Sequence, residues 1–134
     1  MEWLVSLTGM PTGSFGVFTS GGTEANLSAM VTARESWRSQ DKTKETERGI
    51  IIAAVSAHSS VKAMAKVIDA DVVLVQTEER FTAEQLAEKL AELTAEDRQR
   101  VFAVIATGGT TNAGIIDDLV GIAEICETEN LWFH

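Results

Sequence analysis

A chain of 134 residues, 45% hydrophobic and 23% charged, has the balance of a soluble globular protein and is long enough to bury one core. Its net charge of −9 argues against nucleic acid or an anionic membrane as partner, because both are bound through clusters of Lys and Arg. The longest apolar run, Ile50 to Val55, is far shorter than the ~20 residues of a membrane helix, and no signal-peptide pattern is visible in Met1 to Leu4. Cys126 is the only cysteine, so no internal disulfide can form and a reducing cytoplasm is the natural location.

Glu2 to Met10 reads as the tail of a helix. Gly16-Val17-Phe18 is a short strand candidate, and Thr19 to Gly22 is a turn. Leu27, Met30, Val31 and Arg34 recur at helical spacing, which predicts a helix from about Thr23 to Ser39. Asp41 to Arg48 is a solvated loop of mixed charge. Ile50 to Val55 has the unbroken apolar character of a strand buried on both faces. Ser59 or Ser60 can cap the helix that follows, Val61 to Ile68. Val72 to Val75 is the next strand. Thr82 and Gln85 fit a capping box ahead of the stripe Leu86, Leu90 and Leu93. Val101 to Ala106 is another apolar strand, followed by a loop, Thr107 to Gly114. Asp117 is placed to cap a helix marked by Leu119, Ile122, Ala123 and Cys126. Leu131 to His134 reads as a strand that stops while still apolar, so both ends look cut and a partial domain over residues 1–134 is expected. Five strand candidates with helices between them and no hairpin signal predict an α/β fold with a mainly parallel sheet flanked by helices. Strand order is not legible.

Ligands of open parallel sheets bind beyond the carboxyl ends of the strands, where three segments rich in small polar residues fall. In the first, Thr19 to Asn26, the glycines let the backbone approach a ligand. The helix starting at Thr23 aims free N–H groups and its positive end at the same spot. Neither a Walker loop nor G-x-G-x-x-G is present, so this is either a phosphate cradle or an ordinary capped glycine turn. In the second, His58 follows a buried strand directly. It could stack on a flat cofactor or move a proton, or simply help cap the next helix. In the third, Thr107 to Gly114 forms a flexible, hydroxyl-rich loop in which Thr111 could orient a ligand. Together they describe a pocket for a planar, phosphorylated aromatic molecule, for which pyridoxal 5′-phosphate is the obvious candidate. No metal site is indicated.

Four stretches carry a family resemblance: Gly16 to Arg34 (GVFTSGGTEANLSAMVTAR), Ala57 to Val61 (AHSSV), Thr107 to Thr111 (TGGTT) and Asn130 to His134 (NLWFH). In order and spacing the chain resembles the group II pyridoxal-phosphate-dependent amino-acid decarboxylases. Their fold is the large domain of the aspartate aminotransferase superfamily, fold type I. The resemblance implies that Gly22 and Thr23 hold the cofactor phosphate, that His58 stacks on the pyridine ring and assists protonation, and that Thr111 lies near the ring. His134 falls on the histidine of a His-Val-Asp-Ala-Ala stretch. The aspartate that pairs with the ring nitrogen would come two residues beyond His134, and the Schiff-base lysine further on. Lys62 and Lys66 do not match that lysine, so the chain alone is expected to lack activity. The resemblance also implies a small amino-acid substrate and a homodimer, with an aromatic substrate mildly preferred. Competing readings are another fold-type I enzyme, such as a sphingosine-phosphate lyase or an aminotransferase, and a non-catalytic phosphate-binding module.

Overall fold

The computed structural model describes residues 2–134. One four-stranded sheet, parallel throughout, runs in the order β2-β1-β3-β4, with β1 at Ile50–Ala54, β2 at Asp71–Val75, β3 at Val101–Ile105 and β4 at Trp132–Phe133. Among the described residues, six helices accompany it: α1 (Glu2–Leu7), α2 (Gly22–Ser39), α3 (Ser60–Val67), α4 (Ala83–Glu92), α5 (Ala95–Arg100) and α6 (Leu119–Thr128). The expected α/β class and parallel sheet are both present.

Each position of β1 is buried, and successive residues enter different cores. Ile51 and Ala53 pack with Met30, Ala33 and Trp37 of α2 and Val61, Met64 and Ala65 of α3. Ile50, Ile52 and Ala54 face Leu86 and Leu90 of α4 and Ile122 and Cys126 of α6. Covering both faces is why the run is continuously apolar instead of alternating. Strand β3 carries one extra residue. Ile50 pairs with Val101 but Ile51 pairs with Ala103, a β-bulge at Phe102. The Phe102 ring lies 5.8 Å from that of Trp37. It also fills the space beside Gly49, where a Cβ would sit 2.6 Å from a ring carbon, so only glycine fits there.

Helix α4 begins with the expected capping box: Gln85 N–H donates to Thr82 Oγ1 (3.3 Å) and Thr82 N–H to Gln85 Oε1 (3.0 Å). Helix α5 went unseen in the sequence because AEDRQR has no apolar stripe. Polar anchors hold it instead. Thr94 caps it through Asp97 N–H (3.1 Å), and Arg98 forks onto both carboxylate oxygens of Glu129 (2.9 and 2.8 Å).

Three local expectations need correction. Gly16-Val17-Phe18 is not a strand; it is irregular chain with Val17 and Phe18 exposed, since strand-forming side chains make a strand only beside a partner that accepts the ladder. The helix cap at 118 is Asp118, which accepts from Gly121 N–H (3.2 Å), while Asp117 does something else. Neither Ser59 nor Ser60 caps α3 through its side chain. Asp41 to Arg48 is exposed as expected but holds a short 3-10 turn, Lys42–Lys44.

Candidate active site

His58 leaves β1 at the carboxyl edge of the sheet and bends back onto the start of α3. Ser60 N–H donates to His58 Nδ1 (3.2 Å), and Ser60 Oγ lies 2.9 Å from the same nitrogen. The histidine, not a serine, therefore satisfies an orphan amide of that helix. Ser60 is buried, and its oxygen also meets Asn26 Nδ2 (3.1 Å), which comes from the second turn of α2. Asn26 Oδ1 lies 3.2 Å from His134 Nε2. His134 continues the β4 ladder: its N–H donates to Val104 O (3.0 Å) and its carbonyl accepts from Ala106 N–H (2.9 Å). Burial holds the His134 imidazole below its ordinary pKa, favouring the neutral ring. His58 and His134, 76 residues apart, are thus tied together through Asn26 and Ser60.

The loop after β3 is far less loose than its composition suggests. Asp117 is buried and accepts from Phe81 N–H (2.8 Å) and Thr107 N–H (2.7 Å), while its own N–H donates to Thr107 O (3.0 Å). Inside that clasp, Thr110 N–H donates to Ile115 O (2.9 Å), Gly114 N–H to Thr110 O (2.9 Å) and Ile115 N–H to Thr110 Oγ1 (3.1 Å). Gly109 and Gly114 take positive φ, 147° and 64°, which explains glycine at both. The flexible loop of the sequence reading is a pinned one. It forms a cavity of about 380 Å³ with Ser56 and His58, and Thr107, Thr110 and Thr111 line it.

At the start of α2, Gly21 and Gly22 have no side chain to cap the helix, and no side-chain cap bond forms. A Cβ at either would meet nothing within 4 Å, and neither has a positive φ in the left-handed region, so packing within the chain does not demand glycine there. Glu24 folds back on the turn, accepting from the N–H (3.0 Å) and hydroxyl of Ser20, and these bonds hold its carboxyl below the usual range. Gly22 and Thr23 are exposed. They sit one turn before Asn26 and do not line the His58 cavity. The structure thus gathers His58 and Thr111 around one space and links His134 to it. Gly22 and Thr23 stand at the head of the helix that supplies the link.

The link made by Asn26 and Ser60 and the clasp made by Asp117 were missed from sequence, where Ser60 and Asp117 read as helix caps. Asn26 and Ser60 lie inside the motifs TEAN and AHSSV, but 34 residues separate them, and no local pattern says that they touch.

Other groups offer less chemistry. A second cavity, about 370 Å³, opens between α4 and α6, but its Arg98 is already neutralised by Glu129. Burial pushes the Cys126 thiol up to about 11, which removes it as a nucleophile at neutral pH. Among the described residues, no group of three or more His, Cys, Asp or Glu could hold a metal ion, and no helix is long and apolar enough to cross a membrane.

The donor set and space suit a pyridoxal phosphate. The cavity falls in the ~300–1,000 Å³ range of small-molecule sites, an aromatic imidazole and hydroxyls border it, and a helix start with open space beside two glycines stands near.

Comparison with known proteins agrees. Residues 1–134 match the family described as "Pyridoxal-dependent decarboxylase conserved domain". The chain is 33% identical, over an alignment of 140 residues, to aromatic-L-amino-acid decarboxylase of Bacillus atrophaeus, covering 100% of this chain and 28% of that protein. It is 32% identical to L-2,4-diaminobutyrate decarboxylase of Rhizobium meliloti, covering 98% and 26%. The crystal structure of mouse CSAD superposes with a TM-score of 0.84 at 30% identity, over 99% of this chain and 30% of that one. The glutamate decarboxylase domain of a Vibrio parahaemolyticus diaminobutyrate-pyruvate transaminase and L-2,4-diaminobutyrate decarboxylase superposes at 0.87 with 26% identity, over 99% and 32%. The chain therefore spans less than a third of the length of these relatives, and the fold-type I architecture expected from the resemblance is the one it has. With sequence agreement running from end to end and the fold held in common, the chain belongs to the pyridoxal-dependent decarboxylase family.

Proposed function

We propose that this chain forms the cofactor-holding part of a carboxy-lyase that releases CO₂ from an L-amino acid. The observation that carries the reading is the cavity at the carboxyl edge bordered by both His58 and the Thr107–Ile115 loop, in a chain of this family. Pyridoxal phosphate, when bound, supplies an electron sink for the charge left on the α-carbon as CO₂ departs. The N–H groups of Gly22 and Thr23 and the Thr23 hydroxyl would hold the phosphate, helped by the positive end of α2. The His58 ring would lie against the heterocycle, Thr111 would orient it with its hydroxyl, and His134 would support the site from β4. On this reading His58, which borders the cavity, is the catalytic residue and hands a proton to substrate.

The only lysines near His58 in sequence, Lys62 and Lys66, sit on the exposed side of α3, away from Val61, Met64 and Ala65. On this reading the chain binds cofactor but does not turn over substrate. A mild preference for an aromatic substrate rests on GGTEAN together with AHSSV. A cytoplasmic homodimer fits the lone buried cysteine and the family resemblance.

The test is titration of the purified chain with pyridoxal phosphate followed by borohydride reduction. Saturable binding, without stoichiometric labelling of one lysine and without CO₂ release from aromatic, acidic or diamino substrates, is expected. No saturable binding sinks the cofactor assignment. Full labelling of one lysine with turnover sinks the claim of inactivity.

A further inference from the structure

The bonds between the two histidines have only one possible direction. A backbone N–H can donate but never accept, so the bond from Ser60 N–H leaves His58 Nδ1 as a lone-pair acceptor. The proton of the neutral His58 ring is then on Nε2. The Nδ1 lone pair is then shared by the Ser60 N–H and the Ser60 O–H, which donates across 2.9 Å in a three-centre bond, and the hydroxyl oxygen keeps its lone pairs for Asn26. Asn26 must therefore turn its amide nitrogen to Ser60 (3.1 Å) and its carbonyl oxygen to His134, whose Nε2 must donate (3.2 Å). One main-chain amide thus sets the protonation of two imidazoles on different elements.

We propose that the Ser60 N–H holds His58 as its Nε2–H tautomer and that the Ser60 hydroxyl and Asn26 are positioning groups that impose the same tautomer on His134 through this one-way relay. Within the described residues, His58 Nε2 enters no hydrogen bond, so the relay leaves one N–H on His58 uncommitted. The relay stands on geometry alone. Its chemical consequence, that His58 meets cofactor and substrate as a proton donor through Nε2, rests on the proposed function. Asn26 gains a reason to sit in α2, a helix whose exposed start would bind phosphate. A ligand seated at Gly22 and Thr23 would bear on the same helix that orders both rings.

The two histidines are the only ones in the chain, so nitrogen-15 spectra of histidine-labelled protein contain two ring systems. Where the rings are neutral, both should show a protonated Nε2 and a bare Nδ1. Ser60→Ala touches His58 but not His134. It nevertheless frees the Asn26 amide to flip and offer its N–H to His134, so His134 should move from one tautomer to a mixture while His58 keeps its own through the Ser60 N–H. Ser60→Thr restores the hydroxyl and should restore the His134 tautomer. A proton on His58 Nδ1 in the unmutated chain overturns the relay, as does a His134 ring indifferent to a folded Ser60→Ala protein. The unmutated measurement decides even if the variants fail to fold. A titration with pyridoxal phosphate on the same sample separates the two ideas. The expected tautomers without binding uphold the relay and remove the function; binding with a proton on Nδ1 does the reverse.

Discussion

Two helix starts in this molecule are built in opposite ways. Helix α4 opens with Thr82 and Gln85 closing a reciprocal pair of bonds, and Leu86 and Leu90 behind them are buried. Helix α2 opens with Gly21 and Gly22, has no side-chain cap, and keeps Gly22 and Thr23 in the open. A capped start satisfies its own amides and serves the fold. A start left uncapped leaves its amides to water or to a ligand. The difference separates a structural terminus from the one we propose binds phosphate, although both precede helices that pack on the same sheet.

Three substitutions bear on that contrast. Leu86→Ala empties a fully buried site behind the closed start and should cost about 2–5 kcal/mol in denaturant unfolding. Thr82→Ala removes the cap itself and should cost about 1 kcal/mol, with no effect on cofactor binding. Gly22→Ala at the open start should act with opposite sign on the two properties. Its Cβ meets nothing within 4 Å, so stability rises by about 0.4–1 kcal/mol, while phosphate affinity falls because the methyl intrudes where the anion approaches. If Gly22→Ala weakened the fold and left phosphate binding intact, the contrast would be wrong.

The smallest effect concerns pH. Ser20 donates twice to the Glu24 carboxylate, so the folded pKa lies below that of the unfolded chain. The stabilisation is therefore present above the unfolded value, ~4.3, and is lost as pH falls through the lower folded value. Glu24→Gln should flatten that part of the acid limb in a stability-against-pH curve. The change will be slight because the group is exposed to water.

Apolar continuity and caps told the fold well. Ile50 to Val55 and Val101 to Ala106 read as buried strands because both faces are covered, and Thr82 with Gln85 read as a helix start because a capping box is local in sequence. What could not be read depends on distant partners. Val17 and Phe18 look like strand residues yet find no neighbouring strand. Helix α5 is held by Arg98 to Glu129, 31 residues away, and leaves no periodic trace. At the site, His58 and Thr111 were legible as small polar motifs at strand ends, and the structure brings both to one cavity. The role of His58 in satisfying α3 was weighed from sequence, but the bonds through Asn26 and Ser60 were not visible. Asp117 was read as a cap because it precedes a helix. Its neighbour Asp118 takes that role, and Asp117 pins the threonine loop against Phe81.

The most direct test of the central claim is an amide and imidazole chemical-shift map of the chain titrated with pyridoxal phosphate. The account predicts saturating shifts at Gly22, Thr23, His58, Thr111 and His134, with the capped start of α4 unmoved. Shifts centred on Leu90, Arg98 and Ile125 in the cavity between α4 and α6, or no saturation at all, would contradict it.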